Sequence, residues 1–284
     1  RFYGGSYPVS TAYEGFQETS DASSQWVSTL ANRSVKPGTT SAFGLNTQIS
    51  VVNPSTSVTS DITVEFYDPD GTLAHTVNFD DVAPLETVNP FTGLYPQLFD
   101  RIQGSGSNAK ATWGGVAIVN ATVANSATPH PVITIVQPVY KFSTFFNAWG
   151  SFKPVIPTQV QGLNVVNVPN ARRSFNSGVR VGLGWCTVIN VANLNTGSSI
   201  DFSMDIFKQD GTPAYSTDSD GGDITVNARG SYNFNTCNIA ALNANGGVFE
   251  GSAVISLENG TGPIASVVQH TLTGWPSTGD PFAY

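Results

Sequence analysis

The sequence predicts an all-β protein made of two tandem antiparallel β-sandwich domains, immunoglobulin-like or jelly-roll-like. Three observations predict it. Apolar and polar residues alternate at period two in short runs, turn residues punctuate those runs (28 Gly and 17 Pro in 284 residues), and the pattern occurs twice. Ile49-Ser50-Val51-Val52-Asn53 lines up with Ile189-Asn190-Val191-Ala192-Asn193, and Asp70-Gly71-Thr72 with Asp210-Gly211-Thr212, both at an offset of 140 (189 − 49 and 210 − 70). The same offset sets Ala31, Arg33 and Ser34 on Ala171, Arg173 and Ser174. Further on the offset falls to 132, where Pro131 to Gln137 matches Pro263 to Gln269, as loops of different length require. The expected domains are therefore 1–140, with an extended N-terminal arm, and 141–284.

Within each copy, Ile62, Val64 and Phe66 alternate with Thr63 and Glu65, as Phe202, Met204 and Ile206 alternate with Ser203 and Asp205. This is the pattern of a strand with one buried face. Asp70-Gly71 and Asp210-Gly211 then reverse the chain, so Thr72 to Phe79 and Thr212 to Thr217 return as hairpin partners. Short strands follow at Val116 to Val119, Val132 to Val136, Ala253 to Leu257 and Ile264 to Val268. No helical stripe of ten residues interrupts them.

Composition narrows the partners. Charged residues make up only 11%, against roughly 25% in an ordinary soluble protein, and 20 acids against 12 bases leave a net charge of −8. No basic cluster exists to neutralise a phosphate backbone, so nucleic acid is not an expected partner. No apolar run approaches the roughly 20 residues of a membrane-spanning helix.

The sequence starts at Arg1 and its one Met is Met204, which suggests removal of an upstream piece, either a cleaved secretory signal peptide or a trimmed end. Cys186 and Cys237, the only cysteines, read as one disulfide, with two buried thiols as the alternative. A secreted chain of this kind is extracellular or at the cell surface. Asn32, Asn120 and Asn259 begin glycosylation sequons.

Catalytic motifs are missing: the sequence has no Gly-x-Ser-x-Gly elbow, no His-Glu-x-x-His and no phosphate loop. The expectation is that this protein is not an enzyme, although two carboxylates distant in sequence can meet in a glycosidase. One constellation suggests an ion. Asp218, Asp220 and Asp223 surround Gly221-Gly222 in an acidic turn whose oxygens would suit calcium, or which is simply solvated; the bidentate Glu of a complete calcium loop is absent. No other cofactor is expected. Aromatic residues gather at Phe2, Tyr3, Tyr7, Tyr13 and Phe16, and again at Phe142, Phe145, Phe146, Trp149 and Phe152. The first group marks either a segment covering its own sandwich, a sugar-stacking platform, or an assembly arm that adds to a neighbouring subunit by strand addition.

Tyr13-Glu14-Gly15-Phe16, Trp26-Val27, Thr47 to Asn53, the Val64 to Asp68 strand with its Asp70-Gly71-Thr72 turn, Pro84, Gly115 to Ile118 and Pro131 to Gln137 together resemble the tandem β-sandwich modules of secreted bacterial cell-surface and extracellular structural proteins. The resemblance implies an extracellular, repetitive, non-catalytic role. On it rests the expected function: a subunit that self-assembles with copies of itself into a filament, sheath or surface layer. The alternative is a carbohydrate-binding or adhesive module that meets polysaccharide without polymerising.

Overall fold

The computed structural model describes residues 2–4, 7–9, 21–34, 44–98, 112–142, 145–148, 152, 154–160, 162–174, 184–243, 248–260, 264–273 and 282–283. The chain is all-β and folds as two compact units, Arg1–Gln159 and Val160–Tyr284. The junction thus lies some twenty residues beyond the expected position at 140. That position falls inside a strand, and residues after it still belong to the first unit: Val155 and Val27 exchange backbone hydrogen bonds of 2.8 Å, and Phe152 and Val136 exchange bonds of 2.9 and 3.0 Å.

The first unit opens with a short hairpin of β1 (Phe2–Gly4) and β2 (Tyr7–Val9). It continues with β3 (Gln25–Ser34), β4 (Gly44–Val52), β5 (Ser60–Tyr67), β6 (Leu73–Val82), β7 (Thr87–Val88), β8 (Thr112–Val123), β9 (Ile133–Phe142) and β10 (Phe145–Ala148). These eight form two four-stranded antiparallel sheets, β3-β8-β5-β6 and β10-β9-β4-β7. The pairs β5–β6, β4–β7 and β3–β8 are nested like the arms of one long hairpin, which then rolls so that β5 also meets β8 and β4 meets β9. That is the jelly-roll arrangement, and it decides between the two alternatives the sequence leaves open.

The second unit repeats it. Its strands are β11 (Val165–Ser174), β12 (Gly184–Asn193), β13 (Ile200–Lys208), β14 (Pro213–Ser216), β15 (Ile224–Val226), β16 (Ser231–Asn235), β17 (Val248–Asn259), β18 (Ile264–Thr273) and β19 (Phe282–Ala283). The rolled order returns as β14-β13-β17-β11 and β19-β18-β12-β16, now joined into one sheet at the single pair Arg173–Cys186. Ile189 and Val191 of β12, Phe202, Met204 and Ile206 of β13, and Ala253 and Ile255 of β17 are all buried in one apolar core. Burial at about 25 cal/mol per Å² drives this packing.

Three devices recur in both units, and none is apolar. A buried threonine links the two sheets: Thr92 Oγ1 donates to the Asn32 carbonyl (2.5 Å) and accepts from the Thr47 amide (2.9 Å), while Thr47 Oγ1 accepts from the Asn32 amide (2.9 Å). In the second unit Thr236, Thr187 and Arg172 make the same three bonds at 2.6, 2.9 and 2.7 Å. A buried asparagine closes the next corner. Asn53 donates to the carbonyls of Val58, Val82 and Ala83, and Asn193 to those of Ser198 and Val226. Lastly, β3 and β11 each carry a bulge, between Ser28 and Ala31 and between Val168 and Ala171. Opposite each stands a glycine, Gly115 or Gly251, where a Cβ would run into the carbonyl of Tyr67 or Phe207.

The units differ in their staple. Cys186 and Cys237 form a disulfide across 51 residues, tying β12 to the turn Thr236–Asn238. The first unit has Asn46 and Gly93 at those places, and Asn46 Oδ1 instead accepts from the Ser34 amide at 3.2 Å.

Thr92→Val and Thr236→Val should each cost about 2 kcal/mol, the penalty of orphaning a buried amide and carbonyl, read as a lower urea midpoint. Reducing the disulfide should destabilise the second unit by up to about 4 kcal/mol by the loop-closure relation, leaving the melting of a Cys-free first unit unchanged; differential scanning calorimetry with and without reductant separates the two.

Candidate functional site

The long edge strand of the first unit is positioned by its turns. Asp68, Pro69, Asp70 and Gly71 make a tight reversal: the Gly71 amide donates to the Asp68 carbonyl at 2.9 Å, the Thr72 amide donates to Asp70 Oδ1 at 2.9 Å, and Gly71 adopts φ 85°. From there β6 returns along β5. His75, Val77 and Phe79 stand opposite Phe66, Val64 and Ile62 on the core side, and Thr76 and Asn78 stand opposite Glu65 and Thr63 on the outer side. His75 packs into an aromatic cluster, 6.5 Å from Phe66 and 5.0 Å from Tyr95, with Trp113 edge-on to Phe66 at 6.0 Å. Burial lowers its imidazole below the ordinary histidine pKa.

The far end of β6 is tied down as firmly. Asp61 accepts from the amides of Asp81 (2.9 Å) and Asn125 (2.8 Å), two residues held in the left-handed region at φ 55° and 56°. Those two amides hold its carboxyl below the usual aspartate pKa. Val82 is buried, and its carbonyl goes to Asn53. Among the described residues β6 pairs only with β5, so from Leu73 to Asp80 no strand lies on its outer side.

In the second unit the same edge is broken. It starts at Pro213, which has no amide to offer, and after Ser216 it turns inward at Thr217. Thr217 is buried and exchanges bonds with Met204: its amide donates to the Met204 carbonyl (3.0 Å) and its Oγ1 accepts from the Met204 amide (2.9 Å). The chain then needs nine steps from Thr217 to Val226 where the first unit takes five from Val77 to Val82. The extra length is the acidic turn Asp218 to Asp223, with Gly221 and Gly222 at φ 137° and 90°.

That turn is where calcium is expected. Asp223 is raised above the usual carboxyl pKa by desolvation and by neighbouring Asp218, Glu258 and Asp201, whereas Asp220 engages Tyr215. Among the described residues no group of three or more His, Cys, Asp or Glu side chains is arranged to hold a metal ion.

The expected assembly arm looks different from an extended strand. Phe2, Tyr3 and Tyr7 lie in the β1–β2 hairpin, where Phe2 pairs with Val9 and Tyr3 with Pro8, so the backbone over these residues is paired within itself. Tyr13 and Phe16 lie outside the described residues. The three sequons part company too. Asn32 has its backbone bound by Thr47 and Thr92, and Asn120 sits in the inner strand β8 with its side chain bonded to Gln25 and Glu65. Asn259 is exposed at the end of β17, bonded to Asp201 at 3.1 Å. His130 is buried with Nε2 3.0 Å from Asn53 Oδ1, and His270 falls in β18 opposite Thr187.

A surface groove of about 470 Å³ lies on the second unit, with Leu242 and Phe249 in its floor and Lys208, Asp210 and Glu250 at its rim. Its rim charges already have partners. Glu250 meets Arg172 at 3.3 Å and Gln209 at 3.2 Å, and Asp210 accepts from Thr212. Phe249 is buried and offers no face to a sugar.

No family model matches the chain, and no curated protein does. Among solved structures, it is distantly similar to T=1 particles derived from infectious bursal virus, at 10% identity over 93% of this chain and 69% of that one, with a TM-score of 0.19. The VP2 subviral particle of infectious bursal disease virus compares at 9% identity, 93% and 71% coverage, and a TM-score of 0.16. Likeness at this level carries no functional weight.

Because the Asp61 pKa is depressed in the folded state, its stabilisation is complete above the unfolded value of 3.8 and is lost as pH falls through the folded value. Asp61→Asn should therefore melt below the parent at pH 7, and the two thermal melts should converge as the pH falls through the depressed folded value, below 3.8.

Proposed function

We propose that this chain is an extracellular structural protein that assembles with copies of itself through its sheet edges, as a subunit of a filament, sheath or surface layer. One observation carries the reading: among the described residues no strand pairs with the outer side of the ten-residue β6, while its counterpart in the duplicated unit is interrupted by a proline and an acidic turn. Interruptions of that kind are how proteins prevent edge-to-edge association, so one copy of the module is guarded and the other is not. The disulfide suits an oxidising compartment. Low charge density weakens repulsion between copies at close approach.

No residue is assigned a catalytic role, and no cofactor is needed. Light scattering and negative-stain electron microscopy of the purified, disulfide-intact protein test the reading. Mass should rise with concentration and ordered assemblies should appear; a monodisperse monomer at every concentration would overturn it.

A further inference from the structure

The open edge also selects its partner. A strand added to β6 must itself present a free edge of similar length. In the first unit the outer side of β3 is taken up by the Ser23–Val132 and Val27–Val155 bridges and by the threonine link at Asn32. The remaining edge strands are short: β7 has two residues and β10 four. In the second unit β14 has four residues, β15 three, β16 five and β19 two. β11 has ten residues too, but its outer side is occupied at Arg172 by Thr187 and Thr236 and at Arg173 by Cys186, and β18 is met in mid-strand by β19. Among the described residues the longest edge that β6 can meet is therefore another β6.

We propose that two copies of the chain join by antiparallel pairing of β6 with β6, Val77 of one copy opposite Val77 of the other. The inference rests on the self-assembly reading above and names its interface. A symmetric antiparallel pair must set some residue opposite itself, because directly opposed side chains share a face of the sheet. The regular part of β6 runs from His75 to Phe79, between irregularities at Leu73/His75 and at Phe79/Val82, and Val77 is its midpoint. In this register His75 meets Phe79 of the other copy on the core face, and Thr76 meets Asn78 on the outer face; both are favourable cross-strand combinations. Charge selects the direction. Antiparallel pairing carries Asp80 and Asp81 of the two copies to opposite ends, whereas parallel pairing would set four carboxylates side by side. The result is a continuous sheet of eight strands, four from each copy. A two-fold contact joins copies in pairs, so growth into a filament requires a second contact elsewhere.

Single cysteines test the register, since both native cysteines are bonded to each other and an introduced thiol is then the one free thiol. Under mild oxidation Val77→Cys should give a covalent dimer on a non-reducing gel. Thr76→Cys or Asn78→Cys alone should give roughly ten-fold less, because like residues then sit diagonally at about 7–8 Å, beyond disulfide reach; mixing the two variants should restore the dimer. Equal cross-linking at all three positions would overturn the register. A second variant, Thr76→Lys with Asn78→Lys, changes only the outer face and should shift dimers to monomers in light scattering while the thermal melt stays within a few degrees of the parent. If that variant assembles like the parent and Val77→Cys fails to cross-link, β6 pairing is wrong and assembly uses another surface. If the parent itself never leaves the monomer, the self-assembly reading falls as well.

Discussion

Each four-stranded sheet ends in two rows of backbone donors and acceptors that must be given to water, to the chain itself or to another molecule. Much of this architecture is organised by how those rows are handled. The β3 edge is closed from inside, by main-chain bridges at Ser23 and Val27 and by the hydroxyl of Thr92 reaching the Asn32 carbonyl. The same threonine link fixes how one sheet lies over the other, because it connects an edge strand of one sheet to an inner strand of the other and to the turn that follows β7. Among the described residues β6 is the longest open row, fixed by a turn at one end and by Asp61 and Asn53 at the other.

Comparison of the two copies separates what the fold needs from what each unit can vary. The threonine link, the asparagine corner and the bulge with its glycine are retained in both, at sites where the backbone has no other way to be satisfied or to fit. Around them the chemistry changes. Trp113 donates to buried Asp68 at 2.8 Å in the first unit, while the second has Phe249 and Lys208 at those positions. Asn46 bonds a backbone amide in one copy, and its equivalent Cys186 forms a covalent link in the other.

Much of this was legible in the sequence. Period-two alternation in Ile62 to Phe66 and Phe202 to Ile206 marks β5 and β13, the Asp-Gly turns mark their hairpins, and the lone cysteine pair marks the disulfide. The unit boundary was not, because β9 runs through residue 140 without a break in its apolar pattern, and the segment that follows, Phe152 to Ile156, packs back on the first unit. Nor could spacing distinguish a guarded edge from an open one. The Asp218 to Asp223 run reads in one dimension as an ion site or a solvated turn; in three dimensions it also forms the length inserted where the edge turns inward at Thr217. The buried threonines carry no sequence signal of their own, being ordinary strand residues until their partners across the sheets are known.

The staple in the second unit has a mechanical meaning. Any tension passing along the backbone through Cys186 and Cys237 crosses the sulfur–sulfur bond, so the 51-residue span between them is withheld from stretching. At about 3.4 Å per extended residue this hides roughly 170 Å of contour length. The first unit, with Asn46 and Gly93 at the matching places, has no such limit, and under load it is the half that can unravel completely.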